Sequence, residues 1–401
     1  MAEILVNPQS APLDTDLDIL VVGLPPDEKV TVRVNTGDRS SHATFLADER
    51  GCVDLTRHAP IEGSYHGVDP MGLFWSLEHT GGQPGPTVLS VDDVGEIELN
   101  RQKVPTGVRR TEVNENGLVA VLFEPDDEDS YPGVIVLSGS EGGLHELDAA
   151  LLAGHGFAAL ALAHFGMPGL PEHLVDVPLE YFGTAIEWLS ERAGDIGVVG
   201  ASRGGELALL VGAHYPEVRA VVSVVGSGVV TQGIGPGTNL IQKLSYEAAA
   251  WTWQGEPLPY LPYYVSDELR EHIVNDEPVP LRLAFDTSDG IPEECEIPVE
   301  RIVGGVLLIS SALDDGWPCE ELSEVAETRL AAHSHPFPYE HIVYTEAGHL
   351  IAGPPHRPAT ELLGPGPGVT FSYGGSPEAN AAANADAWKR TVEFFTEQLA
   401  N

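Results

Sequence analysis

Lysine is nearly missing from this 401-residue chain. It occurs only at Lys29, Lys103, Lys243 and Lys389, and Lys and Arg together number 20 against 61 acidic residues, for a formal charge of −41. A field of that sign repels polyanions, so neither nucleic acid nor an anionic membrane is an expected partner. The acidic excess runs through the whole sequence. It reads as a halophilic surface, one built to stay soluble in concentrated salt, where repulsion between carboxylates is screened. Cysteine is scarce as well. Cys52, Cys295 and Cys319 are an odd number with no metal-ligand spacing. That excludes a disulfide scaffold and points to a reducing, cytoplasmic setting. No apolar run reaches the roughly 18 residues of a membrane-spanning helix. The start, Met1-Ala2-Glu3-Ile4-Leu5-Val6, lacks the basic segment and apolar core of a signal peptide. No Cys/His cluster and no Gly-x-Gly-x-x-Gly spacing is present, so neither metal nor nucleotide cofactor is expected.

What the chain does contain changes in character near residue 105. Before it, short apolar or alternating runs are separated by turn residues. Leu17 to Leu24 ends at Pro25-Pro26-Asp27, and Val30 to Val34 alternates and stops at Asn35-Thr36-Gly37-Asp38. Ala43–Ala47, Cys52–Leu55, Leu73–Leu77, Thr87–Val91 and Glu96–Leu99 continue the series. About seven such strands with no helical run predict an immunoglobulin-like β-sandwich over residues 1–105.

From residue 106 the pattern alternates between strand and helix. Val108 to Phe123 reads as a hairpin turning at Asn116-Gly117. Buried strands are expected at Val134–Leu137, Phe157–Ala163, Asp195–Gly200, Ala220–Val225, Val306–Ser310 and His341–Tyr344. Helices are expected through Leu151-Leu152 and over Leu179–Ala193, Pro318–Ala332 and Ala381–Leu399. Repeated β-α units imply a mainly parallel sheet with helices on both faces, the α/β-hydrolase class, over residues 106–401. Residues 226–300 break the rhythm. They carry Trp251, Trp253, Tyr260, Tyr263 and Tyr264 and read as an insertion over the top of the sheet, its aromatics candidates for an acyl pocket or for simple packing.

The chemistry centres on Gly200-Ala201-Ser202-Arg203-Gly204. A Gly-x-Ser-x-Gly run between a strand and a helix forms a strained turn that exposes the serine above the sheet. A serine hydroxyl needs an imidazole to take its proton, and the imidazole needs a carboxylate to orient it. In this fold the chain order is Ser, acid, His. The acid is expected at Asp314-Asp315, after a strand and before a helix; Asp315 is favoured, with Asp314 as a cap of the following turn. The base is expected at His349, in the Gly348-His349 turn after the last strand, while His145, His155 and His164 lie on other segments. Oxyanion donors are expected from the main-chain N–H of Arg203 and from the Gly139-Ser140-Glu141-Gly142-Gly143 loop, at Ser140 or Glu141, with Glu141 preferred.

Several separate stretches, in this order, make the chain resemble the acyl-CoA thioesterase / bile acid-CoA:amino acid N-acyltransferase family. They are Gly67-Val68-Asp69-Pro70-Met71-Gly72-Leu73-Phe74-Trp75, Leu151 to Ala158, Leu179-Glu180-Tyr181-Phe182, the serine elbow, Glu346-Ala347-Gly348-His349 and Asp386-Ala387-Trp388-Lys389. The resemblance covers nearly the whole length. It implies a β-sandwich followed by an α/β-hydrolase domain, and hydrolysis of acyl-CoA thioesters or acyl transfer from CoA to an amino acid. Transferring members tend to carry cysteine as nucleophile and hydrolytic members serine, so Ser202 favours hydrolysis. Arg101, Lys103, Arg109 and Arg110 form the densest basic cluster, a candidate contact for CoA phosphates or a solvated linker. A dienelactone-hydrolase-like carboxylesterase without a CoA requirement, and an inactive binding protein, are the rival readings. Oligomeric state is not legible.

Overall fold

The computed structural model describes residues 1–127 and 130–399. Contacts divide the chain into two compact units: Met1–Thr106 with Pro354–Glu361, and Gly107–Gly353 with Leu362–Asn401.

The first unit is built of strands. Glu3–Asn7, Asp18–Val22 and Val53–Asp54 form an antiparallel three-stranded sheet. A larger sheet holds Lys29–Asn35, Arg39–Leu46, Thr87–Val91 and Gly95–Gln102 at its centre. The period-2 alternation does what it should: Val30, Val32 and Val34 turn inward, as do Ile19 and Val21, and all are buried. One helical turn, Gly72–Trp75, interrupts the strands. Asp69 sets it by accepting the Met71 N–H at 2.8 Å and the Trp75 indole N–H at 2.7 Å. The unit also takes up Pro354–Glu361, which no strand pattern announced. Ala359 N–H donates to the Trp75 carbonyl, the Thr360 hydroxyl to the Leu77 carbonyl, and Glu361 pairs with Arg39.

The second unit is an eight-stranded sheet. Its strands are β1 (Val108–Val113), β2 (Ala120–Pro125), β3 (Gly133–Leu137), β4 (Ala158–Leu162), β5 (Ile196–Ala201), β6 (Val218–Val224), β7 (Gly305–Ser311) and β8 (Tyr339–Tyr344). Their order is β1-β2-β4-β3-β5-β6-β7-β8. β1 and β2 pair antiparallel, as do β2 and β4, and all other pairings are parallel. The hairpin between β1 and β2 turns with Asn116 and Gly117 both at positive φ. The central strands β3, β4 and β7 are buried along their whole length, because helices cover both faces and leave no side for polar residues. Those helices are α1 (Glu146–Gly154), α2 (Glu180–Ser190), α3 (Arg203–His214), α4 (Cys319–Ala332) and α5 (Pro377–Gln398).

The insertion after β6 has a small core of its own, made by Leu240, Leu244, Leu269, Val279 and Ala284. A late hairpin, Leu363–Gly366 with Val369–Ser372, joins it by pairing Val279 with Phe371 and Pro280 with Ser372. Trp251 does not line an open pocket. It is fully buried in the main core, and Trp253 packs against His214 and Tyr215 at the end of α3.

Candidate active site

Ser202 sits between β5 and α3 with φ 56° and ψ −122°. A non-glycine residue rarely holds a positive φ, and such strain is kept where function needs it. The flanking glycines make the turn possible. A Cβ on Gly200 would collide with the Gly204 carbonyl, and one on Gly204 would stand 2.6 Å from the Ser138 carbonyl. Ser202 N–H donates to Val224 at the end of β6, and the Ser202 carbonyl receives the N–H groups of Gly205 and Glu206. Arg203 supplies the first N–H of α3, which has no carbonyl one turn back to meet.

His349 follows β8, and its Nδ1 lies 2.8 Å from Asp314 Oδ2. The expected carboxylate was Asp315, and the structure corrects this. Asp314 is buried, with only 2 % of its side chain exposed. Its Oδ1 accepts the N–H groups of Gly316 at 2.7 Å and Trp317 at 3.2 Å, which leaves Oδ2 for the imidazole. Capping the turn and holding the histidine were assigned to two residues, and one residue does both. Asp315 turns the other way and accepts the Ser372 hydroxyl at 2.6 Å. The three segments share one rim because β5, β6, β7 and β8 are consecutive neighbours and all end there. Val225 N–H to the Ile309 carbonyl and Trp317 indole N–H to the Val225 carbonyl tie those ends together.

Burial pushes the His349 imidazole down, but the Asp314 carboxylate, by charge and hydrogen bond, and the charge of Glu141 raise it further, so the net shift is upward. Glu141 belongs to the loop after β3, where its main-chain N–H was the expected oxyanion donor. Its side chain is the larger feature. The carboxylate folds back to accept the Gly139 N–H at 3.0 Å and its own N–H, and it meets His145 Nε2 at 2.7 Å. Burial alone pushes the His145 imidazole down, but Asp148 and Glu141 hold it up at about 10, so it is a cation. His164 is fully buried among Phe165, Phe182 and Trp251, and burial pushes its pKa down to about 3.

Sequence reasoning missed a buried charge network behind the elbow. The Arg203 guanidinium donates to the Thr231 carbonyl at 3.0 Å and the Gln232 carbonyl at 3.1 Å, inside the insertion. Glu206, one turn along α3 and fully buried, stands 3.4 Å from it. Glu206 also accepts the Trp251 indole N–H at 2.6 Å and the Thr231 hydroxyl at 2.7 Å. The signal was present as two opposite charges three residues apart on an otherwise apolar helix. The arginines of the expected basic cluster make internal contacts, while Lys103 is exposed. Arg109 binds Glu124 and Asp126, Arg110 binds Glu112 and Glu146, and Arg101 donates to the carbonyls of Leu13 and Thr15. Among the described residues no cluster of His, Cys, Asp and Glu has the makings of a metal site, and no helix is long and apolar enough to cross a membrane.

The strand order, the serine elbow and the Asp–His pair define an α/β-hydrolase. Family models sharpen this. Residues 177–401 match the C-terminal region of BAAT / acyl-CoA thioester hydrolases, and residues 14–90 match the N-terminal region of acyl-CoA thioester hydrolase/BAAT. Over 96 % of its length the chain is 32 % identical to acyl-coenzyme A thioesterase 6 of Homo sapiens, covering 94 % of that protein. It is 32 % identical to the mitochondrial acyl-coenzyme A thioesterase 2 of Homo sapiens over 96 % of the chain and 82 % of that protein. It is 30 % identical to the peroxisomal succinyl-coenzyme A thioesterase of Mus musculus over 97 % and 94 %. Among solved structures, a putative dienelactone hydrolase from Klebsiella pneumoniae aligns at 18 % identity with a TM-score of 0.45, over 72 % of this chain and 98 % of that one. The chain belongs to the acyl-CoA thioester hydrolase/BAAT family.

Proposed function

We propose that this protein hydrolyses acyl-CoA thioesters through an acyl-enzyme on Ser202, with His349 as the general base and Asp314 as the carboxylate that orients it. The Ser202 hydroxyl attacks the thioester carbonyl while His349 Nε2, the ring nitrogen not engaged by Asp314, takes the proton. The Arg203 N–H and the main-chain N–H of Ser140 hold the oxyanion, the Glu141 N–H being taken by its own carboxylate. Collapse expels the CoA thiolate, which His349 protonates. A water then repeats the sequence and releases the acid. The reading rests above all on the 2.8 Å His349–Asp314 bond on the same sheet rim as a serine in the strained elbow. A serine rather than a cysteine nucleophile supports hydrolysis over transfer to an amino acid. The three cysteines are free, and a reducing cytoplasmic location with a salt-adapted surface belongs to the same proposal.

Release of free CoA thiol from a panel of acyl-CoAs tests it. Ser202→Ala should lose at least about 10³-fold in kcat, and Asp314→Asn about 10⁴-fold. More than a tenth of the wild-type rate in Ser202→Ala would refute the nucleophile. Equal rates on an acyl-CoA and its simple ester would remove the need for CoA.

A further inference from the structure

The paired aspartates after β7 leave one carboxylate without a part in this mechanism. Asp315 is nonetheless bound on three sides. Its Oδ2 accepts the Ser372 hydroxyl at 2.6 Å. Its carbonyl accepts the Arg282 N–H at 3.0 Å, and its own N–H reaches the Tyr373 carbonyl at 3.4 Å. One residue thus joins the acid loop, the insertion and the late hairpin. The residue after that hairpin, Tyr373, holds the histidine. Its carbonyl accepts the His349 N–H at 2.7 Å, and its ring lies within 17° of parallel to the imidazole, at a centroid distance of 6.2 Å. The imidazole is therefore placed from two directions: at Nδ1 by Asp314 and along its main chain by Tyr373.

We propose that Asp315 is a positioning residue for thioester hydrolysis: through Ser372 it holds Tyr373, and through Tyr373 it places His349 for proton transfer at Ser202. The inference rests on the triad reading above. A hydroxyl bound to a carboxylate makes a short, charge-assisted hydrogen bond, stronger than the neutral pairings of the strands around it. The hairpin is also anchored by two pairings with Val279 and Pro280, by Val369 and Phe371 on the insertion's core, and by the Leu240 N–H on the Pro367 carbonyl. The Asp315 main-chain N–H reaches the Tyr373 carbonyl just beyond it, so the Ser372 hydroxyl is the contact that the Asp315 side chain itself supplies. Loosening the Ser372 link lets the Tyr373 carbonyl drift, and a displacement of about 1 Å at a catalytic group costs on the order of 10²-fold in rate. Asp315 acts through His349 rather than on the substrate, so the loss falls on kcat and not on KM. A stapling role alone would lower thermal stability and leave kcat intact.

The test uses the full chain with Asp315→Ala, Asp315→Asn, Ser372→Ala and the Asp315→Ala/Ser372→Ala double variant, read by steady-state acyl-CoA hydrolysis beside Ser202→Ala. Asp315→Ala and Ser372→Ala should each lower kcat about tenfold or more with KM within about threefold, and the double variant should be no slower than the slower single one. Asp315→Asn keeps an acceptor for Ser372 and should recover most of the rate. If Ser202→Ala is active, the triad reading falls and takes this inference with it. If Ser202→Ala is inactive, three results overturn the Asp315 role alone: wild-type kcat in either alanine variant, losses that multiply in the double variant, or Asp315→Asn as slow as Asp315→Ala. Should Asp315→Ala fail to fold, Ser372→Ala and Asp315→Asn decide the matter by the same criteria.

Discussion

Replacing Arg203 with methionine strips one partner from the buried pair behind the elbow. The structure sets the scale. Glu206 is fully buried and its carboxyl keeps the Trp251 and Thr231 donors, but it loses the cation 3.4 Å away. The carbonyls of Thr231 and Gln232 lose their donor in the same step. Removing one member of a buried pair costs about 3–5 kcal/mol, because a desolvated charge is left behind. That is a large share of a typical stability of about 5–15 kcal/mol. At roughly 2–4 °C per kcal/mol for a unit of this size, thermal unfolding should move down by about 6–20 °C. Salt does not rescue it, since screening acts on exposed charges, so the loss should be the same in dilute and molar KCl. The Arg203→Met/Glu206→Gln double variant removes the stranded charge and keeps an amide acceptor for Trp251 or Thr231. It should recover more than half of the loss. A shift below about 1 kcal/mol for the single variant, or simple additivity of Arg203→Met and Glu206→Gln, would refute the reasoning.

Four further outcomes follow from electrostatics. His349 must be neutral to act as base, so kcat/KM should fall as pH drops through its pKa, on a limb displaced above the ordinary histidine value. Glu141→Gln removes a charge that favours the imidazolium and should move that limb to lower pH; a fixed limb in low salt would contradict the placement of Glu141. The −41 charge predicts that the melting temperature rises with KCl and that KM for an acyl-CoA, itself a polyanion, falls over the same range. A melting temperature indifferent to salt would overturn the salt-adapted surface, and a KM that rises with salt would mean that CoA is held by exposed cations.

How much of the site was legible depended on the range of the forces that make it. The elbow was readable because every requirement is local: glycines where a Cβ collides, a β-branched strand before and an apolar helix after. His349 was readable from its position after the last strand, since strand order dictates which ends share a rim. Glu141 was expected to offer its N–H, which its own carboxylate takes, and that carboxylate was missed, because a side chain folding back on its own loop leaves no periodic trace. The buried Arg203–Glu206 pair was missed because its meaning comes from Thr231, Gln232 and Trp251, 25 or more residues away. The Trp251 and Trp253 rings were legible as an aromatic cluster, but their burial depends on α3, which the insertion's own composition does not reveal.

The sequence by itself determined the class of the fold, the strained turn at Ser202 and the chain order of the aspartates and His349, because period, turn chemistry and connection rules act over a few residues or along one strand. Only the tertiary structure decided which of two adjacent aspartates meets the histidine. Asp314 and Asp315 are chemically identical and one residue apart, but neighbouring side chains leave a turn in different directions. One carboxylate is directed at the rim above β8 and the other at a hairpin that returns some 57 residues later. The same holds for Pro354–Glu361, whose membership of the first unit depends on partners near residues 39, 75 and 77. Contacts between segments so far apart are selected by packing of the whole chain, and no local preference encodes them.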